Sequence, residues 1–330
     1  MDQRQASRGV GDESTRALWY TAPSHAELRL EAAPAPDPGD VIVETMWSAI
    51  SRGTERLVFE GRVPPSLYER MKAPAQDGNF PFPVKYGYCA VGRIADGSVV
   101  FALHPHQDRF HAGSASLHAI AANVPPRRAV LAANMETALN AIWDSAAGPG
   151  DRIVIVGAGV VGLLVAYLAA GIVGCEVDVI DVASERAGIA AAFGATFLGA
   201  GNAEPGGADI VFHASASQDG LALALSLAGD EAKVVELSWY GAQSVAAPLG
   251  LDFHARRLQL VSSQVGQVSP SRRPRWDHAR RMEKAMALLA DPRLDLLITG
   301  EVAFDDLPAA LPNLLAPGAP GLCTVVRYGR

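Results

Sequence analysis

The stretch Arg152-Ile-Val-Ile-Val156-Gly157-Ala-Gly159-Val160-Val161-Gly162 decides the fold of this 330-residue chain. Its apolar, β-branched start reads as a buried strand, and the G-x-G-x-x-G that follows reads as a tight turn into a helix. Alone that pattern is weak, but its surroundings complete it. A helix is expected over 162–170, and the strand Val177-Asp-Val-Ile-Asp181 then ends on an acid nineteen residues beyond Gly162. Gly157 permits the turn, Gly159 lets the backbone approach a diphosphate, and Gly162 lets the helix pack on the strand. Backbone amides at the helix start, those of Val160 and Val161 among them, then face the phosphate charge together with the helix dipole. Asp181 stands where a carboxylate accepts hydrogen bonds from both ribose hydroxyls of NAD and repels a 2′-phosphate. These residues predict NAD(H) over NADP. Arg186 is near enough to serve NADP, although an arginine in the first turns of a helix reads more simply as a surface residue.

Outward from this stretch, strands and helices alternate. Helices are expected over 184–193 and 220–227, and strands at Asp209-Ile-Val-Phe212, Lys233-Val-Val-Glu-Leu237 and Leu258-Gln-Leu-Val-Ser262. This rhythm implies a parallel sheet with helices on both faces. A helix over 135–146 and the turn Gly148-Pro-Gly-Asp151 lead into it. Before it, short strands separated by Pro and Gly (17–20, 27–31, 41–45, 91–94 and 98–102) suggest a compact, barrel-like β domain. After Gly266 come an amphipathic helix over 276–289, a weaker one over 305–315 containing Pro308 and Pro312, and a closing strand Cys323-Thr-Val-Val-Arg327. The polar first fifteen residues show no apolar period and are expected to be disordered. The long segment 64–82 exceeds a simple connection and is a candidate cover for the site.

Apolar residues make up 49% of the chain and charged ones 19%, which is ample for buried cores. A formal charge of −7 argues against nucleic-acid binding, and the one basic cluster, Ser271-Arg-Arg-Pro-Arg275, is short and lacks interleaved aromatics. Residues 153–175 hold no charge over 23 positions, long enough to span a bilayer, but three glycines break the run near its front. It reads as strand, turn and helix, and no membrane partner is expected. Cys89, Cys175 and Cys323 lie far apart, and no signal peptide is evident, so reduced thiols in the cytoplasm are expected.

The whole ordering resembles the medium-chain dehydrogenase/reductase superfamily. The residues that carry the resemblance are Gly39-Asp40-Val-Ile-Val43, Ser51-Arg-Gly-Thr-Glu55, Gly87-Tyr-Cys-Ala-Val-Gly92, Gly148-Pro-Gly-Asp151 and the glycine motif. It implies a GroES-like β domain plus a Rossmann doubly wound parallel-sheet domain: the first over 16–133, the second over 134–265, and a C-terminal return to the first over 266–330. Ser51-Arg-Gly-Thr-Glu-Arg56 with Gly61-Arg-Val-Pro64 is similar to the zinc-free branch that contains bacteriochlorophyllide a dehydrogenase. The superfamily layout also leaves room for a homodimer formed through the Rossmann domain.

Alcohol dehydrogenases of the superfamily carry zinc. Here the resemblance places Ser51 on the first cysteine ligand, Tyr88 on the histidine ligand and Cys89 on the acid after it. The third ligand position falls near Ala133, with Glu136 close by. Serine and tyrosine are not usual zinc ligands, and four clustered cysteines for a structural zinc are absent. His104, His106, Asp108 and His111 form the other conceivable metal cluster, but a His-Pro-His loop is more often solvated. No metal is expected. Hydride transfer without zinc needs hydrogen-bond donors for the oxygen, and the layout assigns that role to Ser51, Thr54 and Tyr88. Each has a plainer reading, as a turn hydroxyl or a packing aromatic, and Glu55 could orient Arg52 or Arg56. Ser262, Ser263 and Gln264 are expected near the nicotinamide. Trp239 and Tyr240 read equally as core or substrate wall, and His213 as a packed, backbone-bonded histidine.

The expected function is NAD(H)-dependent, zinc-independent hydride transfer to or from a small-molecule alcohol, ketone or enone. The alternatives are a nucleotide-binding redox sensor without turnover, and a zinc alcohol dehydrogenase with rearranged ligands.

Overall fold

A computed structural model describes residues 14–32, 35–199, 201–202 and 204–329. Residues 1–13 of the expected disordered start, and Pro34 of the loop after the second strand, lie outside the described residues. Ser14 and Thr15 depart from that expectation and open the strand Ser14–Ala22, with the Thr15 hydroxyl bonded to Asp108 at 2.8 Å.

The strand Arg152–Val156 is the middle of a six-stranded parallel sheet. Numbered along the chain, the strands are Arg152–Val156, Glu176–Ile180, Thr196–Leu198, Ala208–His213, Ala228–Glu236 and Gln259–Ser262, and they lie in the order 3-2-1-4-5-6. All their pairings are parallel. The near-continuous apolar run of the first strand follows from burial on both faces. Ile153 and Ile155 pack into the core shared with the helix Val160–Ala170, while Val154 and Val156 pack into the core on the opposite face with Leu221 and Leu225 of the helix Gln218–Leu227. The order reverses at the first strand, so a crevice opens beyond its carboxyl end, between it and the fourth strand.

The remaining strands form two antiparallel-dominated sheets. One holds Ser14–Ala22 and His25–Ala32 with the short strands Val84–Lys85 and Asp77–Gly78. The other has Val41–Ile50 at its centre, and the closing strand Cys323–Arg327 pairs antiparallel with it. The chain thus returns to its first third after completing the parallel sheet. On its other side Cys323–Arg327 carries the strand Ile298–Ala303 in parallel. That strand is not legible in the sequence, because Gly300 and Glu301 break its apolar pattern.

Two local departures have clear causes. The expected helix over 184–193 is a 3-10 turn, Ser184–Arg186, followed by the α-helix Ala187–Ala192. Ser51-Arg-Gly-Thr-Glu, read as a turn, opens the helix Arg52–Phe59. Gly53 hides this helix from propensity, but the Glu55 carboxylate accepts the Ser51 amide at 2.7 Å and so satisfies a donor at the helix start.

Polar clamps tie the pieces together. Arg281, on the helix His278–Leu288, is fully buried and donates to Glu136 Oε1 at 3.0 Å, to Asn140 Oδ1 at 2.6 Å, and to the carbonyls of Val265 and Gln267. It joins two helices to the loop after the last parallel strand. Burial pushes the Glu136 carboxyl up even though Arg281 pulls it down. Removing the cation leaves an uncompensated buried acid, so Arg281→Ala is expected to cost about 3–5 kcal/mol in chemical denaturation. A loss below about 1 kcal/mol would contradict this role for the clamp.

Candidate active-site cleft

The turn after Val156 behaves as its glycines demand. Gly157 has φ +111°, and a Cβ there would sit 2.7 Å from the Ser215 amide nitrogen. A Cβ on Gly162 would stand 1.9 Å from the Gly157 carbonyl oxygen. Gly159, the residue before the helix Val160–Ala170, faces open space within 4 Å of where its Cβ would be, and no side chain caps that helix. The first amides of an α-helix have no internal acceptor. An open, uncapped helix start beside a glycine leaves backbone amides facing space from which an anion can approach.

Asp181 is placed beside this turn. Its Oδ2 accepts the Ala158 amide at 2.6 Å and the Arg186 guanidinium at 3.0 Å, and its Oδ1 accepts the Ala183 amide at 2.8 Å. Arg186 is therefore not simply a surface residue. It is paired with the acid expected to hold the ribose.

A continuous cleft of about 2210 Å³ runs from this turn to the antiparallel part of the molecule. Ser51, Thr54 and Tyr88 line it. Ser51 and Thr54 lie close enough to the Tyr88 phenol to favour its ionised form, but burial outweighs them and pushes it well above the ordinary tyrosine value. The three residues expected near the reacting oxygen thus form one cluster with a protonated phenol. Gly159, Asp181, Arg186, Ser263 and Gln264 line the same cleft, whereas Ser262 does not. Ser263 Oγ donates to Asp144 at 2.7 Å, which fixes the loop. Met71, Lys72 and Ala73 of the long segment 64–82 form part of the wall.

Glu55 does something the sequence did not suggest. It is fully buried and orients neither Arg52 nor Arg56. Its Oε2 accepts the Tyr20 hydroxyl at 2.8 Å and lies 3.0 Å from His106 Nε2, and His106 Nδ1 lies 2.7 Å from Ser48 Oγ. Arg52 donates to the carbonyls of Ala319, Pro320 and Gly321, and Arg56 to those of Leu315 and Ala316. This buried network holds the start of the helix Arg52–Phe59, and with it Ser51 and Thr54, against the closing segment of the chain.

Other sequence readings are resolved here. His213 bonds through side chains at both ring nitrogens, to Glu236 and Ser215, and not to backbone. Trp239 packs against the core cluster that includes Val58 and Phe59 and also lines the cleft. Ser215 and Glu236 were missed as members of a side-chain network. The available signal was position, since His213 and Glu236 end the fourth and fifth parallel strands at the crevice edge.

At the positions that the resemblance gives to zinc ligands stand Ser51 and Tyr88, which are not usual zinc ligands, and Glu136 close by is clamped by Arg281. His104 stacks on Phe110 at 3.6 Å between ring centres, and burial lowers it to about 3. Among the described residues no group of three or more His, Cys, Asp or Glu side chains is placed to hold a metal ion.

No protein-family model matches the chain. A stretch of 103 residues is 30% identical to 2-desacetyl-2-hydroxyethyl bacteriochlorophyllide A dehydrogenase of Cereibacter sphaeroides, covering 30% of this chain and 28% of that protein. Solved structures match over nearly the whole length. A protein of Sinorhizobium meliloti provisionally described as a zinc-binding dehydrogenase, bound to NADP, superposes with a TM-score of 0.76 at 18% identity, covering 95% of this chain and 99% of that one. An Escherichia coli alcohol dehydrogenase complexed with NADH gives 0.75 at 14%, covering 96% and 100%. The chain therefore has the fold of the medium-chain dehydrogenase/reductases, with GroES-like and Rossmann-like parts, and the proteins it resembles are dehydrogenases.

Adding a methyl group at Gly159 would put it in this open space without touching protein. Gly159→Ala is expected to melt within a few degrees of the wild type yet bind NADH at least about tenfold more weakly by fluorescence titration, a loss of about 1.4 kcal/mol. Unchanged affinity would show that the diphosphate lies elsewhere.

Proposed function

We propose that this protein is an NAD(H)-dependent, zinc-independent oxidoreductase that moves a hydride between the nicotinamide and an alcohol, ketone or enone. The observation that carries this reading is the shared cleft: the open glycine turn at one end and the Ser51–Thr54–Tyr88 cluster at the other line one continuous space. When bound, the dinucleotide supplies the hydride acceptor or donor. The amides at the start of Val160–Ala170 hold its phosphates, and Asp181 accepts from the adenosine ribose once Arg186 swings aside or shares it. Tyr88 donates a hydrogen bond to the substrate oxygen and, during reduction, its proton. Ser51 and Thr54 fix the direction of the phenol, and Glu55 and His106 fix Ser51.

The zinc-independent part rests on donor chemistry, since a serine and a tyrosine, which are not usual zinc ligands, take the places of the metal-binding side chains. Substrate recognition falls to the aromatic and apolar walls around Trp239. A homodimer through the parallel sheet is supported by its edge strand Gln259–Ser262, where Leu260 is 38% exposed. No helix among the described residues is long and apolar enough to cross a membrane, and the three cysteines are unpaired, which suits a reducing cytoplasm.

Two measurements test the reading. A panel of alcohols and ketones followed by NADH absorbance is expected to yield turnover, and Tyr88→Phe to lower kcat by about 10²–10⁴ with a small change in KM. Because burial raises the phenol above its ordinary value, the donor keeps its proton up to and beyond the normal tyrosine range, and carbonyl reduction should not fall from loss of that proton near pH 10. Tight NADH binding with no turnover across the panel would point to a sensor instead. Asp181→Ala is expected to weaken NADH and strengthen NADPH binding, because it frees Arg186 for a 2′-phosphate. A variant that still prefers NADH by the wild-type margin would remove Asp181 from cofactor selection.

A further inference from the structure

A second chemistry-bearing cluster sits at the crevice edge of the parallel sheet, apart from Tyr88. His213, fully buried, ends the fourth strand. Its Nε2 lies 2.7 Å from Ser215 Oγ, and its Nδ1 lies 2.7 Å from Glu236 Oε2. The Tyr240 hydroxyl donates to the same Glu236 oxygen at 3.1 Å, and the Ser238 amide donates to the other at 2.7 Å. Burial pushes the Glu236 carboxyl up, but the bonds from His213 and Ser238 bring it below its ordinary range. The ionised Glu236 accepts a hydrogen bond from His213 Nδ1–H. That fixes the tautomer and leaves Nε2 to accept from the Ser215 hydroxyl. Ser215 itself is exposed and lines the cleft.

The surroundings are built to this cluster. A Cβ on Gly220 would stand 2.1 Å from Ser215 Oγ and 2.8 Å from His213 Nε2, so the serine and histidine fill the space a side chain would need. Ser217 Oγ, 2.9 Å from Ser215 Oγ, caps the helix Gln218–Leu227 by accepting the Gly220 amide. The first two amides of that helix have no internal acceptor. Leu223, Leu237 and Trp239 give the adjoining wall an apolar surface.

We propose that Ser215, His213 and Glu236 act as nucleophile, base and orienting acid, and that they cleave small uncharged carboxylic esters entering the cleft. Ser215 Oγ forms a bond to the ester carbonyl carbon while its proton passes to His213 Nε2. The bond to the leaving alcohol breaks, and His213 returns the proton to that oxygen. Water then attacks the acyl-Ser215, gives a proton to His213, and releases the carboxylic acid as Ser215 regains its hydrogen. No electrons change hands, so the hydrolysis draws on neither the nicotinamide nor Tyr88, although it shares the cleft with the dinucleotide.

A fluorophosphonate probe with peptide mass spectrometry, alongside hydrolysis of p-nitrophenyl acetate, tests it on the whole chain. Wild-type protein is expected to be labelled stoichiometrically at Ser215, Ser215→Ala not at all, and His213→Gln at least about 100-fold more slowly. Tyr88→Phe should be labelled at the wild-type rate. Absence of label on wild-type Ser215 overturns the proposal, whatever the folding of the variants, and so does an undiminished rate in His213→Gln. Because the Ser215 backbone abuts Gly157, saturating NADH is expected to block labelling. Labelling that ignores NADH upholds the triad and counts against the placement of the dinucleotide instead, so the two readings fail separately.

Discussion

The unsatisfied amides at the start of the helix Val160–Ala170 are the constraint on which the rest of the molecule turns. The first amides of a helix need a polar partner from a cap, from water or from a ligand. Here no side chain caps them, and Gly159 leaves the space before them open. Gly157 and Gly162 keep the turn tight enough to hold the opening against the sheet, and Asp181 is bonded to the Ala158 amide in the same turn. Local strand, turn and helix thus define a place for negative charge before any other part of the chain is considered.

What faces that place is set by long-range packing. The closing strand Cys323–Arg327 pairs with Val41–Ile50, and Arg52 and Arg56 grip the carbonyls just before it, so the helix Arg52–Phe59 is held at the cleft. Beneath that helix the buried set Tyr20, Glu55, His106 and Ser48 fixes its first turn. Arg281 fixes the loop around Val265 from the other side. Each clamp joins segments far apart in sequence, and together they place a protonated tyrosine across the cleft from the glycine turn.

The parallel sheet was legible because its signals are local. Its first strand is recovered end for end and four others within about five residues, from apolar runs and turn residues alone, while the short edge strand Thr196–Leu198 was not anticipated. The helix Arg52–Phe59 was not, since Gly53 and two arginines mask a start that depends on Glu55 folding back to Ser51. For the cleft, the resemblance brought Ser51, Thr54 and Tyr88 forward, and they do meet, but Glu55 was matched with the wrong partners because its true ones, Tyr20 and His106, lie 35 and 51 residues away. His213 was read as backbone-bonded because nothing in one strand announces that Glu236, at the end of the next, stands beside it. Side-chain networks across strand ends depend on register, which periodicity does not reveal.

The most direct test is a crystal structure of the protein with NADH bound. The account requires the diphosphate within hydrogen-bond distance of the Val160 and Val161 amides, the adenosine ribose against Asp181, and the nicotinamide ring turned toward Tyr88. Density for the dinucleotide anywhere else in the cleft, or none at saturating NADH, would contradict it.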